Sequence, residues 1–505
     1  MKKIVILSLI ISNYFIANSQ NVGIGTLTPA GKLHIKGGAD TSQLVIDANV
    51  VQSNTHPLIR LRNAAGTDIL HIHSDDASNV FIGLGAGKFN NAAVGGTSNT
   101  FIGSAAGYYN IHGNDNTANG NAALYFNANG SNNTANGNAA LHFNNFGDNN
   151  TASGYEALYS NASGDNNIAM GDQALFSNTL GVGNTATGSA ALFSNTTASL
   201  NTANGNQSLY HNTTGVRNTS IGFNALFNNI TGNFNTAVGG SALIYTTASD
   251  YNTALGYNAG SAYDNGYNNV FLGANVDVNG AGYYNVIAIG QGTICTASSQ
   301  VTIGNGATNS YRAYANWSNI SDGRFKKNVQ DNVPGLDFIT RLRPVTYNLN
   351  AIDLDVFLHK NNNITTQQNK EQSNQSDVAN AAYNKALQEK ENTTYTGFVA
   401  QDVEATAKQL GFKFSGVDAP KDANDVYGLR YAEFVVPLVK AVQEQQVNIE
   451  RLTRQIEIAS SAKMPATVVS EQQIIEELKK ENETQKSFNN DLQKQIDQLK
   501  TLIKK

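Results

Sequence analysis

Leucine recurs at positions 124, 141, 158, 175, 192, 209, 226 and 243, every seventeenth residue of a stretch otherwise dominated by Asn, Gly, Ala and Thr. The same interval separates the Asn that opens the motif N-[TV]-[AFS]-x-G, with one variant pair at Asn167-Ile168. That Asn stands at 99, 116, 133, 150, 167, 184, 201, 218, 235, 252 and 269. The series continues loosely at Asn79 before these and at Asn285 and Gln300 after them. A full unit reads N-T-A-x-G-x-x-A-L-x-x-N-x-x-G-x-N, plain in "NTANGNAALYFNANGSN" from Asn116 to Asn132. Apolar positions do not return at three and four, and Asn, Gly and Thr are poor helix formers, so no long helix fits. The glycines supply corners that accept positive φ, and the Thr-Ala and Ala-Leu pairs supply short strands. Each unit therefore predicts one coil of a solenoid stacked on the last, with identical side chains in register. Asn116, Asn133 and Asn150 are expected to form a ladder of amide hydrogen bonds.

A coil contributes one Leu and several Ala to its interior, which is a thin core. A single chain is expected to leave an apolar stripe exposed along its length, and stripes of that size mark interfaces. Three chains closed about a threefold axis would pack the leucine ridge with aromatic residues such as Tyr125, Phe143, Phe176 and Phe193. The repeats resemble the head segments of trimeric autotransporter adhesins, which are β-rolls of three chains. The 17-residue unit departs from that family, and no C-terminal membrane-barrel pattern follows, so the family's anchoring mode does not carry over.

Charge changes the picture at both ends. Only 14% of the chain is charged, and residues 79–305 hold just ten charged side chains. A net charge of -5 gives no basic footprint for nucleic acid or for an anionic membrane. The opening MKK, the apolar run from Ile4 to Ile11 and Ala17-Asn18-Ser19 before Gln20 fit a signal peptide over 1–19. No later stretch has the roughly 18 apolar residues of a bilayer span, so a secreted or cell-surface product is expected. Residues 20–78 read as a separate β-rich module, with strands and turns in "NVGIGTLTPAGKLHIKG" and "LIRLRNAAGTDILHIHS". His71 and His73 share a strand face, but two His without a third ligand fit a wet face better than a metal site. Asp75 and Asp76 lack the spacing of a calcium loop. No metal or cofactor is assigned. The lone Cys295 reads as a small buried hydrophobe.

From Ser321 the chain becomes charged and helical in pattern. Val435, Leu438, Val442, Gln445, Ile449, Leu452 and Ile456 step by three and four. A second seam runs Ile475, Leu478, Asn482, Gln485, Asn489, Leu492, Ile496, Leu499 and Ile503. They predict coiled coils over 435–458 and 471–505 with a linker at 459–470, Asn482 and Asn489 fixing register and strand number. Four blocks precede or enter these seams: "SDGRFKKNV" at 321–329, "LRPVTYNL" at 342–349, "TGFVAQDVE" at 396–404 and "YGLRYAEFVVPLVKAVQEQQ" at 427–446. In content and order they resemble the C-terminal intramolecular chaperone of phage tail spikes, the auto-processing domain of the peptidase S74 family. The resemblance covers most of 321–456 and implies a small α+β chaperone domain at 321–434. The Asn-, Gln- and Lys-rich tract at 351–392 reads as a solvent-exposed insertion, and 306–320 as the linker to the cleavage site.

In that family the chain cuts itself before the motif's Ser, using the Ser hydroxyl and a Lys five positions on. Carried over, the resemblance implies cleavage of the Ile320–Ser321 bond with Ser321 as nucleophile and Lys326 as base. Ser321 Oγ can reach its own preceding carbonyl through a five-membered ring, leaving an ester that water hydrolyses. A lysine accepts a proton only when neutral, so the base must be withdrawn from water, which assembly of three chains would do. Residues five apart face opposite sides of a strand. Either Gly323 turns the chain, or Lys326 serves a neighbouring subunit. Lys327 is the rival base, and a Ser-Asp pair that merely caps a turn beside solvated lysines is the plain alternative.

These parts describe a mainly β chain: a trimeric β-roll or β-solenoid of 17-residue repeats at 79–305, then a small α+β chaperone domain and a C-terminal coiled coil. The expected function is that of a secreted, fibre-like, adhesin-type homotrimer. Its coiled coil gathers three chains, the repeats zip in register, and a single-turnover cut, in cis or within the trimer, discards the template. No external substrate is expected. The alternatives are a phage-spike-like fibre that binds or degrades a cell-surface glycan, and a structural trimer that is never cut. Against a hydrolase, no carboxylate pair or His, Cys, Asp cluster recurs in the repeats.

Overall fold

The computed structural model describes residues 22–24, 33–35, 46, 57–261, 266–315, 317–359, 376–461 and 468–503. The expected signal peptide at 1–19 and most of 20–56 lie outside the described residues. The chain divides into two compact units, residues 1–150 and 151–505.

In the first unit Val22–Ile24 pairs in parallel with Leu33–Ile35. Ile59–Arg62 and Asp68–His73 form an antiparallel hairpin, and Asp68–His73 is antiparallel to Val80–Ile82. From there pairing becomes parallel and in register through Thr100–Ile102, Thr117–Asn119 and Thr134–Asn136. Phe81 and Phe101 stack inside with ring centroids 5.2 Å apart, and His73 lies over Phe81 at 5.3 Å. The face that His71 and His73 share therefore turns inward: His73 is only 4% exposed, so the expected wet face is a buried one. Burial there follows from the aromatic stack, which needs a lid where the repeats begin.

The second unit opens with a ladder of ten parallel strands, from Thr151–Ser153 to Val301–Ile303. Their register is the sequence period itself, as in Thr185 against Thr202 and Ala186 against Ala203. Each strand is three residues long, and in most of them a middle Ala points in while its neighbours point out, as at Thr202–Asn204. A glycine then closes the strand where only glycine fits: Gly205 has φ +142°, and a Cβ on it would stand 2.5 Å from the carbonyl oxygen of Gly222 in the next coil.

The asparagine ladder forms in both units, with the shorter bonds between side chain and backbone and longer amide-to-amide contacts, such as Asn218 Nδ2 to Asn201 Oδ1 at 3.2 Å, beside them. In the first unit the Asn116, Asn133 and Asn150 backbone N–H groups each donate to the side-chain oxygen of the Asn one coil earlier, at 2.9 Å. In the second, the Asn218 N–H donates to Asn201 Oδ1 at 2.9 Å, and Asn201 Nδ2 crosses the coil to the Gly215 carbonyl at 2.8 Å. A second buried row reinforces it, with Asn212 Nδ2 donating to Asn195 Oδ1 at 3.1 Å and to the Gly215 carbonyl at 2.9 Å.

The leucine ridge departs from expectation. Leu124, Leu141, Leu158, Leu175, Leu192, Leu209 and Leu226 are 0% exposed within one chain, and Leu243 is 1% exposed. Each coil hides its own leucine, so no partner chain is needed to cover it. The cause is backbone geometry. Gln207 at φ +55° and Leu209 at φ +53° are both left-handed, as are their counterparts in neighbouring coils, and they fold the back of the coil over the alanine row. Each left-handed non-glycine costs about 1–2 kcal/mol, so the pair costs about 2–4 kcal/mol, and burying the leucine returns about 1.5–3 kcal/mol of it. What stays half-exposed is the aromatic row beside it: Tyr159, Phe176, Phe193, Tyr210 and Phe227 stack at 5.0 to 5.3 Å. Outward strand positions such as Ile168, Met170, Ile221 and Leu255 are exposed as well. Cys295 is fully buried, as its sequence context implied.

Beyond the ladder the same unit is α+β. Helix α1 (Leu336–Ile339), α2 (Ala351–His359), α3 (Ser376–Glu391) and α4 (Ala400–Gln409) precede the long α5 (Val435–Ser461) and α6 (Val468–Ile503). Val345–Asn348 pairs antiparallel with Thr394–Gly397, and Val417–Asp418 with Gly428–Leu429. Phe338, Val403, Ala407 and Phe434 form the core, with Phe398, Phe412 and Phe414 packed against it. Helices α5 and α6 pack on one another. Gln445, Ile449 and Ile496 of the heptad seams are buried, as is Ala441 off the seam in α5.

Candidate functional site

The last strand of the ladder, Val301–Ile303, gives way to a turn and then to an exposed run. Tyr311, Tyr314, Trp317 and Ile320 all face solvent, Ile320 at 96%. Asp322 ends this run by capping a tight 3-10 turn over Gly323–Phe325. Its carboxylate accepts the Arg324 N–H at 2.9 Å and pairs with the Arg324 guanidinium at 2.5 Å. That pairing holds the Asp322 carboxyl below its ordinary range. The turn reverses the chain so that Lys326 Nζ donates to Ser321 Oγ at 2.8 Å.

Two sequence readings thus coexist in one element. The Ser-Asp pair does cap a turn, and the turn is what sets the lysine on the serine within one chain. Glycine's freedom is not what makes it: a Cβ on Gly323 would meet nothing within 4 Å. Of the two lysines, Lys326 is the one placed on the hydroxyl. Ser321, Phe325, Lys326 and Val329 are all exposed, so this pair stands in water in the single chain.

The order of the sequence blocks has a physical counterpart behind the turn. "LRPVTYNL" supplies the strand Val345–Asn348 and "TGFVAQDVE" the last two residues of its partner Thr394–Gly397, and Arg343 binds Asp402 between the two blocks at 2.6 Å. "YGLRYAEFVV" supplies Phe434 to the aromatic core and starts α5, whose Glu444 accepts the N–H of Leu336 at 2.8 Å. The insertion differs from its sequence reading. Where 351–392 is described it is two helices, α2 and α3, with Ala351 and Leu387 each 3% exposed and the Tyr383 hydroxyl bonded to Asp355. The signal that marks it is Tyr383, Leu387 and Lys390 at helical spacing inside an otherwise polar tract.

Among the described residues no cluster of His, Cys, Asp and Glu is arranged to hold a metal ion. No described helix is long and apolar enough to cross a membrane.

Residues 321–412 match the model of the peptidase S74 family, the chaperone of endosialidase. Comparison with curated proteins and with solved structures returned no match. The matched segment begins on Ser321 and ends at Phe412 in the aromatic core. The segment that matches the chaperone of endosialidase thus follows a β-solenoid of 17-residue repeats, after the exposed run that ends at Ile320.

Proposed function

We propose that this chain is an exported, trimeric, fibre-like protein of the tail-fibre and adhesin type, whose C-terminal part templates assembly and then severs itself at Ile320–Ser321. The observation that carries the reading is the 2.8 Å contact from Lys326 Nζ to Ser321 Oγ, at the first residue of the chaperone segment and at the end of an exposed linker. Export is supported by the charged-then-apolar opening of the sequence and by the extracellular setting of such fibres.

The chemistry follows from the atoms. Ser321 Oγ attacks the carbonyl carbon of Ile320 while its proton passes to Lys326 Nζ. The C–N bond of the 320–321 peptide breaks, and the Ser321 nitrogen takes the proton back as it leaves, which gives an ester on Oγ. Water then hydrolyses the ester, freeing the Ile320 carboxylate and regenerating the Ser321 hydroxyl. Lysine serves here only where water is excluded. Packing of neighbouring chains over Ile320, Phe325 and Val329 would provide that exclusion, so the cut waits for assembly.

Intact-mass measurement on the full chain tests this. A fragment beginning at Ser321 is expected, and Ser321→Ala should abolish it. Equal fragments from the Ser321→Ala chain would remove Ser321 from the mechanism, and an unaltered chain that stays whole would leave a permanent trimer. Sedimentation at one chain mass would end the trimeric reading. A glycan array on the solenoid fragment, followed by a hydrolysis assay, addresses a sugar-binding or sugar-cleaving fibre.

A further inference from the structure

We infer that the end of the solenoid is a docking surface for the chain's own C-terminal fragment, which stays bound there as a non-covalent cap after the backbone is cut. The inference rests on the proposed cleavage for its biological setting, though not for its geometry.

The surface has two parts. The first receives the tip of the hairpin formed by Val417–Asp418 and Gly428–Leu429. Asn279 Nδ2 donates to the Asn424 carbonyl at 2.7 Å, and the Tyr283 hydroxyl donates to Asp422 at 2.9 Å. The Thr296 hydroxyl donates to Asp425, and Lys421 Nζ to the Ser298 carbonyl at 3.0 Å. With the tip in place Asn279, Tyr283 and Thr296 are 1%, 8% and 3% exposed. The tip is shaped for its task by its own acids, since Asp422 accepts the Asn424 N–H at 2.7 Å and Asp425 accepts the Val426 N–H at 2.9 Å.

The second part is the open end of the ladder. Val301–Ile303 is the last strand of the parallel run and pairs there with Ile287–Ile289. An uncovered sheet end is a template for unwanted pairing, and solenoids close it with a dissimilar element. Here α2 and α3 lie against it. The His359 ring reaches the Gly292 carbonyl at 3.3 Å, and a Cβ on Gly306 would stand 2.8 Å from Leu387. A cavity of about 360 Å³ elsewhere, between α1 and α5, takes no part.

None of these contacts passes through 309–320, the exposed run that ends at the scissile bond. Cutting there removes the covalent tie and leaves the docking groups untouched. Departure would exchange these hydrogen bonds for water and expose the groups that the hairpin tip touches, a modest cost for each bond lost. It would also bare the ladder's end.

The test separates this inference from self-cleavage. A specific protease site is inserted after Tyr314 in the full-length Ser321→Ala chain, the purified protein is cut there, and the fragments are run on size exclusion at neutral pH. Co-elution is expected. The pair Asp422→Ala with Asp425→Ala should speed separation at least tenfold, and Tyr283→Phe, which removes one hydroxyl and spares the fold, by a smaller factor. Fragments of the unaltered surface that part on the column would overturn the inference, as would retention unchanged in both variants. An unaltered chain that never cuts itself would instead remove only the proposed cleavage.

Discussion

Asn201→Ala should unfasten one coil without unfolding its distant neighbours. Asn201 is fully buried and makes three relevant bonds. Its Oδ1 accepts the Asn218 N–H at 2.9 Å and Asn218 Nδ2 at 3.2 Å, and its Nδ2 donates to the Gly215 carbonyl at 2.8 Å. The partners do not lose equally. Gly215 keeps the bond from Asn212 Nδ2 at 2.9 Å, and Asn218 Nδ2 keeps the Gly232 carbonyl at 2.8 Å. The Asn218 N–H is left buried with nothing, which costs about 1–3 kcal/mol, and the two weakened partners add about 1 kcal/mol together. A loss of about 2–4 kcal/mol follows. Stability in a solenoid is close to a sum of nearest-neighbour terms, so native-state hydrogen exchange should accelerate across 201–235 while residues 100–140 hold their protection. Asn204→Ala, at an exposed strand position, is the control and should change little. Equal exchange in the two variants, or a loss under about 0.5 kcal/mol, would show that the asparagine row is not what joins the coils.

Four further outcomes are expected. Gly205→Ala should cost at least about 1–3 kcal/mol for its φ of +142° alone, before the approach to Gly222 is counted, read by denaturant unfolding. Burial lowers the proton affinity of the His73 ring, so its contribution to stability is full above the unfolded value of about 6.5 and is lost as pH falls through it. A His73→Phe chain should therefore show a smaller drop in melting temperature between pH 7.5 and 5. Burial pushes the Cys295 thiol up to about 11. Iodoacetamide should leave the folded thiol unlabelled, and stability should fall as pH rises from about 8.5 towards that value, less so in Cys295→Ala. Lys326→Met should stop the cut seen by intact mass while Lys327→Met leaves it; the opposite result would exchange their roles.

Much of this molecule is legible in the sequence because its period is also its register. A 17-residue step in the sequence becomes Thr185 against Thr202 in space, so strands, buried Ala and buried Asn all follow from counting. Side-chain destination within a coil is not legible in the same way. Nothing in the letters of "QSLY" at 207–210 announces that Gln207 and Leu209 are left-handed, since neither residue favours that region, and the reversal follows only from closing the coil on a buried alanine row. That omission is why the leucines read as an outer ridge. The contact between Ser321 and Lys326 is legible only through the motif, because spacing alone sets residues five apart on opposite faces until Asp322 caps a turn. The docking tip at 419–427 was invisible, because an acidic Asn-containing loop looks solvated until its partner carbonyls and hydroxyls are in place.

The buried leucines move the case for a trimer to different ground. If each coil closes on itself, the solenoid can hold its fold without partners, and what neighbouring chains would gain is coverage of the half-exposed aromatic rows and of outward residues such as Ile221 and Leu255. Those contacts reward correct register only after the chains are already alongside, since every coil offers nearly the same surface and a slip of one unit re-forms most of it. In the proposed trimer a template at one end would resolve that degeneracy, because the C-terminal part is not repeated and would meet its counterparts in one way. The same reasoning would account for the place of the proposed Ser321 and Lys326 pair at the junction. Lys326 is exposed in the single chain, and under the proposed mechanism neighbours covering Ile320 and Phe325 would withdraw it from water, so that the cut would follow assembly.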